Sequence, residues 1–134
     1  MLTPKSLFII DDDLEDVNLF AEAVQMIGGG IYFDYAHTFE EALKKLTDSI
    51  ILPDVILLDL NMPKIGGRDV LVQIRKDVRL NTIPVIIFST TIDSPSSLEL
   101  IKLGATYCLP KPQKFTMLCD IIRDITSGKL LAEL

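Results

Sequence analysis

The chain is poor in cysteine, in histidine and in long apolar runs, and each shortage closes off a class of function. Its two cysteines, Cys108 and Cys119, have no paired spacing. They offer neither a zinc site nor a disulfide framework, so a reduced, cytoplasmic chain is the default expectation. The one histidine, His37, stands just before Thr38 and reads as a turn or surface residue. No Ser/His or Cys/His pair is available for nucleophilic catalysis. Lysine and arginine total 13 against 19 aspartates and glutamates, a net charge of −6. That balance provides no basic stripe for a nucleic acid. The apolar run near the start, Leu7 to Ile10, is far too short for a signal peptide or a membrane span. There is no internal repeat, low-complexity tract or linker. What remains is 134 residues, 49% apolar and 24% charged. This reads as one domain over residues 1–134, with a core at about 5–126 and a frayed tail at about 127–134.

The most informative stretch is Asp54-Val55-Ile56-Leu57-Leu58-Asp59-Leu60-Asn61-Met62-Pro63. Four large apolar residues in a row mark a strand buried on both faces, as in the middle of a parallel sheet. Pro63 cannot donate to a sheet ladder, so the strand is over before it. Leu7 to Ile10 and Pro84 to Phe88 are two more strands of this kind. Ile31 to Ala36 is more polar and alternating, as an edge strand is, and Thr106 to Leu109 is a short last strand. Helices fill the intervals. Val17, Phe20, Ala21, Val24 and Ile27 recur at helical spacing, and Gly28-Gly29-Gly30 stops that helix. Thr38-Phe39-Glu40-Glu41 is a capping box for a helix with Ala42, Leu43 and Leu46 inward. Gly66-Gly67 lets a loop approach the strand ends closely. Val70, Leu71 and Ile74 form the inner face of the next helix, with Arg75-Lys76 as helix-end charge. Ser94, as cap before Pro95, opens a fourth helix with Leu98 and Ile101 as its apolar stripe. Phe115, Leu118, Cys119, Ile122 and Ile125 form a fifth. Five strands alternating with five helices predict an α/β fold, a doubly wound parallel sheet with helices on both faces.

The carboxyl ends of those strands carry the chemistry. The first is followed by Asp11-Asp12-Asp13, the third by Asp59, the fourth by Ser89 and the fifth by Lys111. In an open parallel sheet these ends share one edge, where ligands bind. Two or three carboxylates with few other ligands suit a hard, partly hydrated cation, and Mg²⁺ is the natural choice. A hydroxyl and a lysine beside it can hold the oxygens of a phosphoryl group, with Asp59 as the nucleophile.

Together, the acidic cluster after the first strand, the Asp59-Leu60-Asn61-Met62-Pro63 loop, Ser89 after Pro84-Val85-Ile86-Ile87-Phe88, and Lys111-Pro112 resemble the receiver domain of two-component response regulators. The resemblance covers about residues 5–126. It implies a flavodoxin-like sheet in the order 2-1-3-4-5. It also implies that Asp59 takes phosphate from a histidine kinase or phosphotransfer protein. Asp11, Asp12, Asp59 and the Asn61 backbone carbonyl are then the Mg²⁺ ligands, and Asp13 the dispensable acid. Ser89 and Lys111 read the phosphoryl group, and Pro112 follows a cis peptide. Asn61 and Thr91 match positions that set phosphoryl lifetime. The stretch after about Ser127 is too short for an output domain, so a stand-alone receiver is expected. Its output goes by protein contact through the fourth helix, fifth strand and fifth helix, to a downstream protein.

Two features depart from the family pattern. Serine replaces the commoner threonine at 89. The switch aromatic, three residues before the lysine, is replaced by Cys108. Tyr107 is one residue earlier, where alternation turns it to the other face of the sheet. Pro110 stiffens the loop before Lys111. Other readings are a receiver-like docking module that is never phosphorylated, a dehalogenase-like phosphatase and a flavin carrier. The phosphatase needs an aspartate where Asn61 stands, and three acids would repel a flavin phosphate. The protein is thus expected to be a signalling protein, not an enzyme with a separate substrate.

Overall fold

A computed structural model describes residues 4–60, 66–90 and 92–132. The elements are β1 (Ser6–Ile10), α1 (Leu14–Ile27), β2 (Tyr32–Ala36), α2 (Phe39–Asp48), β3 (Val55–Leu58), α3 (Gly67–Lys76), β4 (Val85–Ser89), α4 (Ser94–Lys102), β5 (Tyr107–Pro110), α5 (Phe115–Thr126) and a short α6 (Lys129–Ala132). All strand pairs are parallel. The order is β2-β1-β3-β4-β5, as the resemblance implied.

Period-two alternation divides each central strand between two apolar layers. Phe8, Ile10, Ile56, Leu58, Val85 and Ile87 face Leu46, Leu71, Ile74 and Leu100, from α2, α3 and α4. Leu7, Ile9, Val55, Leu57, Ile86 and Phe88 face Phe20, Val24, Leu118 and Ile122, from α1 and α5. Every residue of β3 and β4 is buried, which is why those strands read as unbroken apolar runs.

The helices follow local chemistry, with one revised cap and two revised faces. Thr38 caps α2 as expected, its Oγ1 accepting from the Glu41 amide at 3.1 Å. The cap of α4 is Asp93, not Ser94; its Oδ1 accepts from the Ser96 amide at 2.8 Å. The inward face of α4 is set by Leu100, which is fully buried, whereas Leu98 and Ile101 are 64% and 44% exposed. In α1, Ala23 rather than Ala21 completes the buried stripe. The tail is partly helical: Gly128 takes φ +81° after α5, and Leu130 of α6 packs on the α1/α5 layer.

Arg75 is more than helix-end charge. Its Nε donates to the Gly104 carbonyl at 2.8 Å, and its Nη1 to the carbonyls of Ile83 at 2.8 Å and Asn81 at 3.2 Å. The guanidinium thus ties α3 to the turns before β4 and β5. Gly104, at φ +116°, leaves room for it: a Cβ there would lie 2.7 Å from Arg75 Cγ. We expect Arg75→Met to keep the stem and lose these bonds, lowering stability by about 2 kcal/mol. The urea midpoint should fall with an unchanged m-value.

Candidate functional site

The sheet ladder runs one residue past two strand ends and so fixes two carboxylates side by side. The Asp11 amide donates to the Ala36 carbonyl at 3.0 Å, and the Asp59 amide to the Ile10 carbonyl at 2.9 Å. On the other flank the Lys111 amide donates to the Ser89 carbonyl at 2.9 Å, carrying the lysine past β5 to the same edge. Asp11, Asp59 and Ser89 are all buried. The structure therefore brings Asp11, Asp12, Asp59, Ser89 and Lys111 to one edge, as strand patterning predicted.

The three consecutive aspartates have three environments. Asp11 is buried, and its Oδ1 accepts from the Asp13 amide at 2.9 Å. Asp13 is exposed and caps α1, its Oδ1 accepting from the amides of Glu15 at 3.0 Å and Asp16 at 3.4 Å. Asp13 thus has the ordinary capping role. Asp12 is exposed, and its carboxylate joins those of Asp11 and Asp59 in a group whose ligand atoms lie within 4.8 Å of one another. Three hard oxygen donors at this separation, two of them buried, fit a small divalent cation such as Mg²⁺.

Lys111 balances this charge. Its Nζ donates to Asp11 Oδ2 at 2.8 Å and to Asp16 Oδ2 at 2.8 Å, and lies 3.6 Å from Asp59 Oδ1. Burial pulls the Lys111 ammonium towards losing its proton. Hydrogen bonds to Asp11 and Asp16 outweigh this and hold its pKa well above the ordinary lysine value. Burial pushes the Asp11 carboxyl up; the Lys111 and Asp13 hydrogen bonds offset only part of that rise.

Asp16 is the residue that sequence reasoning missed. Its partner is Lys111, 95 residues away, so no local signal marked it. A second omission is the ion pair of Arg68 with Glu99, which links α3 to α4.

Gly67 is needed for space. Its amide donates to the Leu60 carbonyl at 3.0 Å, and a Cβ would collide with the Asp59 carbonyl and lie 2.7 Å from Leu60 Cα. At β5, Tyr107 packs on the α1/α5 layer and Cys108 on the opposite one, as alternation predicted. Cys108 Sγ is 4.0 Å from the Ser97 carbonyl of α4, so the switch-aromatic position does face α4. His37 is half-buried, its ring tilted against Tyr35 and its Nδ1 3.4 Å from the Asp11 carbonyl. The peptide before Pro112 is trans, because no cis peptide occurs among the described residues; this corrects the expectation carried over from the family. Asn61, whose carbonyl was expected as a further metal ligand, and Thr91 lie outside the described residues.

Comparison with known proteins agrees with this geometry. The family model described as the response regulator receiver domain matches residues 7–123. A transcriptional regulatory protein, the CpxR homolog of Haemophilus influenzae, is 34% identical over 106 residues, covering 79% of this chain and 43% of the relative. The chain thus spans less than half the length of that relative. The phosphorylated cyanobacterial phytochrome response regulator RcpA superposes with a TM-score of 0.82 at 29% identity, over 95% of this chain and 94% of the other. The Mn²⁺-bound form of response regulator Rcp1 superposes at 0.79 with 26% identity, over 95% of each chain. The chain belongs to the receiver domain family of two-component response regulators.

Proposed function

We propose that Asp59 is a phosphoacceptor, taking a phosphoryl group from a partner histidine kinase or phosphotransfer protein, with Asp11, Asp12 and Asp59 holding Mg²⁺. Receiver domains interact with such donors and bind Mg²⁺ or Mn²⁺ at an acidic site. The observation that carries the reading to this chain is the buried pair Asp11 and Asp59 beside Lys111, with Asp12 completing the carboxylate trio. When bound, the cation supplies positive charge to the oxygens in transfer. An Asp59 carboxylate oxygen attacks phosphorus, and a P–O bond forms as the P–N bond to the donor imidazole breaks. The Ser89 hydroxyl and the Lys111 ammonium then hydrogen-bond the phosphoryl oxygens.

Phosphorylation replaces the single charge of the Asp59 carboxylate by a phosphoryl group that carries nearly two, at a buried edge. Lys111 and Ser89 are drawn towards it, and the segments after β3, β4 and β5 shift an equilibrium in the face formed by α4, β5 and α5. Output through that face goes by protein contact. With Cys108 where an aromatic usually turns, the rearrangement does not use Tyr107, which packs on the opposite layer. No helix among the described residues is long and apolar enough to cross a membrane, and a cytoplasmic location is part of this proposal.

The test is intact mass after incubation with Mg²⁺ and acetyl phosphate. We expect a labile phosphoryl adduct on the wild type, none on Asp59→Asn, and none with EDTA present. A titration with beryllofluoride and Mg²⁺ covers the case of a receiver that ignores small donors. If the wild type shows neither an adduct nor beryllofluoride binding, the phosphoacceptor reading fails and a docking module takes its place.

A further inference from the structure

We infer that Asp16 is a positioning residue for phosphoryl chemistry: it holds Lys111 in a resting site and competes with the phosphoryl group for it. This rests on the phosphoacceptor reading of Asp59. The geometry is specific. Of the three carboxylates around the Lys111 ammonium, Asp11 and Asp59 belong to the group that can hold a cation and Asp16 does not. Asp16 accepts from Nζ at 2.8 Å, whereas Asp59 stands 3.6 Å away. In the resting protein the lysine is therefore bonded to Asp11 and Asp16 and stands farther from the Asp59 carboxylate.

Two opposite consequences follow for the two ligands of the site. A cation bound by Asp11 and Asp59 is repelled by any ammonium held among them. Asp16 shares that ammonium with Asp11 and adds a negative charge near the site, so it offsets part of the repulsion and favours the cation. A phosphoryl group on Asp59 needs the ammonium, and Lys111 reaches it only by giving up its bond to Asp16. A charge-assisted bond of this length, to a side chain one-third exposed, is a moderate competitor. Asp16 thus raises cation affinity and lowers affinity for the phosphoryl group.

The opposite signs make the test selective. In Asp16→Asn we expect Mg²⁺ to bind about threefold more weakly and beryllofluoride, at saturating Mg²⁺, to bind about three- to tenfold more tightly. Asp16→Glu, which keeps the charge, is expected to move both affinities back towards wild type. Loss of a purely structural contact would weaken both ligands together, or neither. Parallel weakening of both, or unchanged beryllofluoride affinity in Asp16→Asn, overturns the inference. Failure of the wild type to bind beryllofluoride at all is a different result, because it removes the phosphoacceptor reading itself.

Discussion

Lys111→Met is expected to lower the stability of the metal-free protein by about 3 kcal/mol at neutral pH. The variant keeps an apolar stem of similar length and loses the ammonium. Asp11 and Asp59, both buried, would then face each other with Asp12 and Asp16 nearby and no cation among them. Removing one partner of a buried pair leaves the other charge uncompensated, and that dominates the loss. The pH dependence has a definite sign. The Asp11 carboxyl is already raised above its usual 3.8 by burial. Without Lys111 it rises further, so the folded state binds protons that the unfolded state has released. Stability is then fully present below the unfolded value and falls as pH rises through the folded one. The deficit of Lys111→Met should therefore be large at pH 7 and shrink towards pH 4. Added Mg²⁺ should restore part of it, because a cation bound by Asp11, Asp12 and Asp59 stabilises the fold by mass action. Urea denaturation at several pH values, with and without Mg²⁺, gives the answer. A loss independent of both would mean that Lys111 serves packing alone.

Gly67→Ala is expected to cost about 2–3 kcal/mol and to weaken Mg²⁺ binding. The added methyl would meet main-chain atoms of Asp59 and Leu60, not a flexible side chain. Those atoms cannot retreat freely, because the Asp59 amide is bonded to the Ile10 carbonyl and Gly67 itself to Leu60. Relief must come from moving either the start of α3 or the Asp59–Leu60 backbone that carries the carboxylate. Gly66→Ala is the control: its Cβ would lie 4.0 Å from the Leu60 carbonyl oxygen, an ordinary contact. That variant should lose less than about 1 kcal/mol, a cost tied to its N-cap position. Comparable losses in the two variants would mean that close approach at Gly67 is not what the turn requires.

The candidate site was legible because it depends on patterns that are local in sequence. Unbroken apolar runs identified β1, β3 and β4, and a parallel sheet places all their carboxyl ends together. Asp11, Asp12, Asp59, Ser89 and Lys111 therefore needed no tertiary information to be collected. Capping chemistry likewise marked α2, and alternation along β5 correctly separated Tyr107 from Cys108. The misreadings at α4 have a common origin. With an aspartate, a serine and a proline in succession, the cap can sit at either of two positions, and packing decides. Only Leu100 meets the sheet layer, so Leu98 and Ile101 turn outward.

Strand order was readable from a family resemblance, and the sheet edge from patterning, together with the acidic, hydroxyl and lysine groups that meet there. Tertiary structure alone decided how those groups share charge. The bonds of Lys111 to Asp11 and Asp16 span 100 and 95 residues. Arg75 finds its carbonyls in turns that exist only once β4 and β5 are in place. The reason is physical. A strand or a cap is selected by interactions within a few residues, whereas a long cationic side chain takes whichever acceptors the completed fold leaves within reach.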